Sequence, residues 1–288
     1  MEIIVKINKI EDIYVLNNAD GYLISNSSFS YRFDHSFTLN EIKKINKFCK
    51  DNNKKMFLLL NKIFKDSDIE KVKLFIQKTI PLNIDGYYFT DFAIFMILDE
   101  FNIANKSVFY HETFLRNHYD IETYFNLGIN NIICSKDMNI NDINNLNEKH
   151  KNNLGIICFG YIPLYESTRK VLTNFIKQNN LDLVFKNNHN LFLKEKTRDE
   201  FYRIIEQNGT TSIFASEVLC YIDFVKQLNK NINIFIIDAL FFENNYIYQV
   251  IELFRQSLEN NITIKDIEKL DNNVKLSSLF LNKRVDLK

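Results

Sequence analysis

The sequence predicts a (β/α)8 barrel of the TIM type. Three observations lead there. Short, uninterrupted apolar runs recur along the first 160 residues; amphipathic stretches separate them; and the spacing between runs, about 20 to 35 residues, is the length of a βα unit. Runs of this kind, with little polar alternation, suit parallel strands covered on both faces.

The expected strands are Ile3–Ile7, Gly21–Ser25, Met56–Asn61, Gly86–Thr90, Ser107–His111, Asn131–Ser135 and Gly155–Phe159, with Asn233–Asp238 as the eighth. Between them, Thr38 to Glu41 reads as a capping box opening a helix through Cys49, and Ser67 to Glu70 repeats that signal. Tyr119–Leu127 is a helix stopped at Gly128. Asn139 caps a helix from Ile140 to Lys149, and Tyr246–Leu258 follows the eighth strand. An insertion at about residues 165–230 separates strands seven and eight. It holds a helical piece, Arg169–Lys177, and strand-like runs Leu181–Phe185, Leu191–Leu193, Tyr202–Glu206 and Thr211–Phe214. The barrel is thus expected over 1–260. A tail, 261–288, would dock through the apolar patch Leu276–Leu281. An open, doubly wound sheet is the rival fold, but eight strands in such strict alternation favour closure.

Composition narrows the function. With 288 residues, 46% hydrophobic and 25% charged, the chain is long enough to bury a core without disulfides. Lys plus Arg and Asp plus Glu both number 36, so the net charge is zero; a free-standing nucleic-acid binder usually carries a basic excess, although a local basic groove remains compatible. The four cysteines, Cys49, Cys134, Cys158 and Cys220, have no CxxC spacing, which argues against a zinc ribbon or a locally coded iron–sulfur site. No apolar run has the form of a signal peptide or membrane span, so a cytoplasmic location with reduced thiols is expected, and no membrane partner.

In such barrels the active site gathers at the C-terminal strand ends. The polar residues expected there define the candidates. His111 followed by Glu112 suits an oriented general base, a metal ligand or a plain hydrogen-bonding residue. Asp91 suits acid–base work, metal ligation or capping of the next helix, as does Asp238. We take Glu112, His111 and Asp91 as candidate catalytic residues. Arg32, Asn61, Lys136, Asp137, Ser167, Arg169 and Asp238 are the candidate substrate-binding residues. Arg169 could clamp a carboxylate or phosphate, or lie on a helix surface. Lys136 and Asp137 could simply pair. No metal site is assigned. Lys43, Lys47, Lys50 and Lys54 form a stripe on one helix face, read as solvated outer surface. Signatures for serine hydrolases, zincins, P-loops and dinucleotide binding are absent from the sequence.

Taken in order, several blocks resemble peptidase family U32, the collagenase-like peptidases, over about residues 12 to 285. They are ADGYLISNSSFSYRFDHSF and the following MFLLLN, with Arg32 and Asn61 in matching places; IDGYYFTDFAIF with Asp91; YHETFLRNHYDIETYFNLGINNIICSKDMNI with Glu112, Thr113, Lys136 and Asp137; CFGYIPLYESTRKVLTNF; and FIIDALFF with Asp238. The departures are specific. Phe159 stands where many members have a His, Pro163 at the first signature cysteine and Lys170 near the second. Ile236 and Phe242 replace the basic residues that usually flank the final acid. Members with the full cysteine set hold an iron–sulfur cluster, so the resemblance implies none here; the cofactor stays open. The family name implies peptide hydrolysis. Its smaller branch, which this chain resembles, implies a subunit for hydroxylation of tRNA wobble uridine, working with a longer paralogue. A degenerate, non-catalytic barrel is the third reading.

Overall fold

The computed structural model describes residues 1–111, 115, 117–182, 189–279 and 281. Seven strands come first: β1 (Glu2–Lys6), β2 (Gly21–Ser25), β3 (Lys55–Leu60), β4 (Gly86–Phe89), β5 (Ser107–Tyr110), β6 (Asn131–Ile133) and β7 (Leu154–Gly160). Each pairs in parallel with the next. An insertion follows, with β8 (Pro163–Ser167), β9 (Phe192–Lys194), β10 (Phe201–Gln207) and β11 (Thr210–Phe214). Then come β12 (Val218–Cys220), β13 (Ile234–Asp238) and β14 (Leu276–Ser277). β13 is the eighth barrel strand. It lies parallel to both β7 and β1, from Ile234 opposite Gly155 at one edge to Asp238 opposite Lys6 at the other, and so closes the ring. All seven residues of β7 and all five of β2 are buried, as expected where helices cover the outside and side chains fill the inside.

Helices α1 (Asp12–Val15), α2 (Leu39–Asp51), α3 (Asp66–Thr79), α4 (Phe92–Glu100), α5 (His118–Asn126) and α6 (Ile140–Asn144) connect the first seven strands. The box at Thr38 and Glu41 forms as expected, each side chain bonding the other residue's backbone N–H. The one expected at Ser67 and Glu70 does not: α3 starts at Asp66, which leaves Ser67 inside the first turn, where it cannot cap. α5 ends before Gly128, whose φ of +91° supplies the turn out of the helix. α6 is capped by Asn139 but stops at Asn144, short of Lys149. Asparagines at 144, 145 and 147 are poor interior residues, and the Asn147 side chain instead accepts from the Lys149 N–H to open a 3-10 turn. Lys54 lies beyond α2, and its ammonium binds the Asn17 and Ala19 carbonyls. It is therefore a turn anchor and not part of a helix-face stripe.

In the insertion, β8, β11, β10 and β9 form an antiparallel sheet in that order, and α7 (Val171–Gln178) lies between β8 and β9. Of the run expected at Leu181–Phe185, Leu181 and Asp182 are irregular and the remainder lies outside the described residues. Ile205 and Phe214 pack against Leu240, Tyr161 and Phe241 and join this sheet to the barrel. The β10–β11 turn is tied to the β2–α2 loop by Gln207, which bonds the Phe33 carbonyl at 2.6 Å, and by Asn208, which bonds the Ser27 carbonyl at 2.5 Å. β12 had no counterpart in the sequence reading. It runs antiparallel to the end of β7, Leu219 opposite Gly160, and carries β14 on its other edge. Beyond them α8 (Val225–Leu228) precedes β13, and α9 (Asn244–Gln256) and α10 (Ile264–Glu268) follow it. In the tail Leu281 is buried and its carbonyl accepts the Ile140 N–H; residue 280 and residues 282–288 lie outside the described residues.

Ring closure depends on a close approach at Gly155, where a Cβ would lie 2.6 Å from Ile133 Cδ1 and 3.0 Å from Ile234 Cβ. Overpacking of this kind costs about 1–3 kcal/mol. G155V is therefore expected to lower the urea midpoint by a matching amount; an unchanged midpoint would contradict the closed packing.

Candidate functional site

Lys6 ends a strand that is otherwise Glu-Ile-Ile-Val, and only 5% of it is exposed. A charge so placed needs a partner. It has two: its ammonium lies 2.8 Å from Asp238 Oδ2, on the adjoining β13, and donates to the Arg32 carbonyl at 2.5 Å. Asp238 Oδ1 accepts the Leu240 N–H. Gly160, at φ +135°, makes room for this acid, since a Cβ there would stand 2.9 Å from Asp238 Cβ.

The β2–α2 loop is fastened to the end of β3. Ser30 Oγ donates to the Leu59 carbonyl at 2.5 Å, and the Tyr31 N–H donates to Asn61 Oδ1 at 2.8 Å. Arg32 follows with φ 56°, a left-handed conformation that places its guanidinium 2.6 Å from Glu166 Oε2 on β8. Loop and insertion therefore meet over the strand ends. Between them opens a pocket of about 210 Å3, lined among the described residues by Arg32, Asn61, His111, Lys136, Tyr165 and Glu166, with others. A narrow cleft holding Lys6 and Asp238 shares Arg32 and Asn61 with it. A larger cavity, about 540 Å3, lies between the α8 segment and the α9–α10 connection, lined by residues such as Asp223, Lys226 and Thr263. The strand ends do not reach it.

Of the residues singled out from the sequence, the fold brings Arg32, Asn61, His111 and Lys136 to one pocket and Asp238 to the adjoining cleft. Asp91 lines neither. Its Oδ1 caps α4 through the Ala93 N–H and its Oδ2 accepts the Phe64 N–H, so it holds two loops in place. Asp137 donates its N–H to Ser135 Oγ and also lies off the pocket lining. Ser167 Oγ accepts the Arg169 N–H, and Arg169 is exposed beyond it. Glu112 and Thr113 lie outside the described residues. Two members of the mouth were missed. Lys6 was hidden in an apolar run, where a lysine inside a buried strand is itself the signal. Glu166 was passed over for its neighbour Ser167, although alternation along β8 sends successive side chains to opposite faces.

On the far side of the cleft, Phe242 stacks between Tyr161 and Tyr246, with ring centroids 5.5 and 5.4 Å away, and Phe159 adjoins them at 5.3 Å. Rings thus fill the places where the family resemblance leads one to expect a His and a basic residue. Lys6 of β1 supplies the cation beside the final acid instead.

The cysteines do not suit an iron–sulfur cluster. Cys49 sits on α2, Cys134 just past β6, Cys158 on β7 and Cys220 on β12, all buried. Burial pushes the Cys49, Cys134 and Cys220 thiols up to about 12 and Cys158 well above the ordinary thiol range, whereas cluster ligands are thiolates. Among the described residues no three His, Cys, Asp or Glu side chains gather as a metal set, and no helix is long and apolar enough to cross a membrane.

An eight-stranded parallel barrel with a polar mouth roofed by an insertion is the class defined by this geometry. Comparison with known proteins gives the family: residues 8–284 match the model of Peptidase family U32, and the chain belongs to it. It is similar to the tRNA hydroxylation protein P2 of Bacillus subtilis (strain 168), 21% identical over 252 residues, which are 86% of this chain and 82% of that protein. The solved structure of the U32 peptidase Mk0906 has the same fold, with a TM-score of 0.50 and 12% identity, covering 83% of this chain and 92% of that one.

Two outcomes test the site. K6M leaves Asp238 without its cation and is expected to cost about 3 kcal/mol in urea unfolding, of which K6M/D238N recovers part; equal losses in both variants would mean the pair is not coupled. Because burial raises the thiol pKa values, all four cysteines are protonated at pH 8. Native protein is therefore expected to react with a thiol-specific disulfide reagent far more slowly than unfolded protein, and rapid native labelling would contradict the burial.

Proposed function

We propose that this chain serves in the hydroxylation of tRNA wobble uridine, as one subunit of the modifying system. The observation that carries the reading is a pocket rich in hydrogen-bond donors, at the strand ends of a chain that resembles a tRNA hydroxylation protein along most of its length. A wobble base lies in a single-stranded loop, and bases on which chemistry is done are taken out of the stack into a pocket. Lys6, Arg32 and Lys136 supply positive charge at the mouth, against the carboxylates of Asp238 and Glu166.

Peptide hydrolysis, which the family name suggests, has less support. The thiols are protonated and buried, and the described acids at the mouth are held in ion pairs with Lys6 and Arg32. A longer paralogue is the proposed partner. The zero net charge leaves much of the phosphate binding to another chain, and the insertion exposes Leu164, Phe175, Phe192 and Phe201.

Mass spectrometry of tRNA nucleosides after loss of the gene tests the proposal. Hydroxylated uridine is expected to fall, to stay low when R32A is supplied, and to return with R169A, which changes a side chain away from the pocket. An unchanged nucleoside profile after gene loss would overturn it.

A further inference from the structure

Asn61 lies just past the end of β3 at 5% exposure and lines the mouth pocket. Its amide orientation is determined. The Tyr31 N–H can only donate, so the atom facing it at 2.8 Å is Oδ1, and Nδ2 is the end left over. That Nδ2 makes no hydrogen bond to a described residue. The Lys136 ammonium, on the same pocket wall, likewise makes neither a hydrogen bond nor an ion pair with a described residue. Two donors with hydrogen-bonding capacity to spare, one on a buried residue and one on a half-buried lysine, line one pocket and suit a ligand that brings acceptors. Tyr165 borders the same space and is 51% exposed, a large ring left open beside polar groups. An exposed aromatic residue next to hydrogen-bond donors suits a flat heterocycle with acceptors on its edge.

We infer that the pocket selects uracil over cytosine, with Asn61 Nδ2 donating to the ring carbonyl that cytosine replaces by an amino group. Lys136 donates to a second acceptor on the same nucleotide, and Tyr165 stacks on the base. This rests on the tRNA-uridine reading above and adds the atoms that discriminate. Cytosine would set its amino donor against the Asn61 donor and leave both unpaired. Sites built on such a hydrogen bond reject the mismatched analogue by far more than a difference of shape could. Tyr31 is therefore a positioning residue: through its backbone N–H it prevents the amide from turning to accept.

The test uses full-length protein, with any partner that co-purifies, and anticodon stem-loop RNAs carrying U or C at the wobble position, their affinities compared by fluorescence anisotropy. The wild-type chain is expected to bind the U form at least about tenfold tighter. N61D keeps an acceptor for the Tyr31 N–H but turns the outward atom from donor to acceptor, so the preference should level or reverse. K136Q should weaken the U form, and Y165L, at an exposed position, should weaken it without a change in melting temperature. Equal wild-type affinity for the two RNAs, or an N61D chain that keeps the wild-type preference, overturns the inference while leaving the tRNA reading to its nucleoside test. No binding to either RNA, together with an unchanged nucleoside profile after gene loss, removes both.

Discussion

The parallel seating of β13 between β7 and β1 is the constraint on which the rest depends. It sets Asp238 beside Lys6 in register, although the two are 232 positions apart in the chain. The ion pair is largely buried, and it is tolerable because each partner has a second bond: Lys6 to the Arg32 carbonyl, Asp238 to the Leu240 N–H. Through that carbonyl the pair also holds Arg32 in its left-handed conformation. The barrel closure and the position of the guanidinium at the mouth are therefore one structural fact.

Above the strand ends the insertion acts as a wall. Gln207 and Asn208 bind the β2–α2 loop, Glu166 receives Arg32, and Tyr165 borders the opening. The polar groups of the mouth divide into two sets. Lys6 with Asp238 and Arg32 with Glu166 are matched within the protein, whereas the Asn61 amide and the Lys136 ammonium face the pocket. A mouth arranged in this way attracts through a few directed donors more than through bulk charge, which is how a chain of zero net charge can still address an acceptor-rich ligand.

Much of the fold was legible because strands covered on both faces must be apolar at every position. The observed barrel strands therefore lie within one or two residues of the runs read from the sequence, and Thr38, Asn139 and Gly128 act as helix punctuation through local bonds. What escaped was non-local. β12 is three residues long and exists because the end of β7 offers it an edge. Asp91 looked like an acid at a strand end, and only the loop positions reveal that both its oxygens face backbone N–H groups. Lys6 passed unremarked within a core strand, since its partner is a residue at the other end of the chain. Ser167 and Arg169 drew attention by type, but the pleat of β8 turns Glu166 toward Arg32 instead.

The most direct measurement of the central claim, that residues scattered along the chain share one base-binding mouth, is photo-crosslinking. An anticodon stem-loop with 4-thiouridine at the wobble position would be irradiated on the full chain and the attached peptides mapped. The structure predicts attachment to the segments around Asn61, Lys136 and Tyr165, which lie just past β3, just past β6 and on β8. Crosslinks confined to outer helices, such as the face of α2 bearing Lys43 and Lys47, would contradict it.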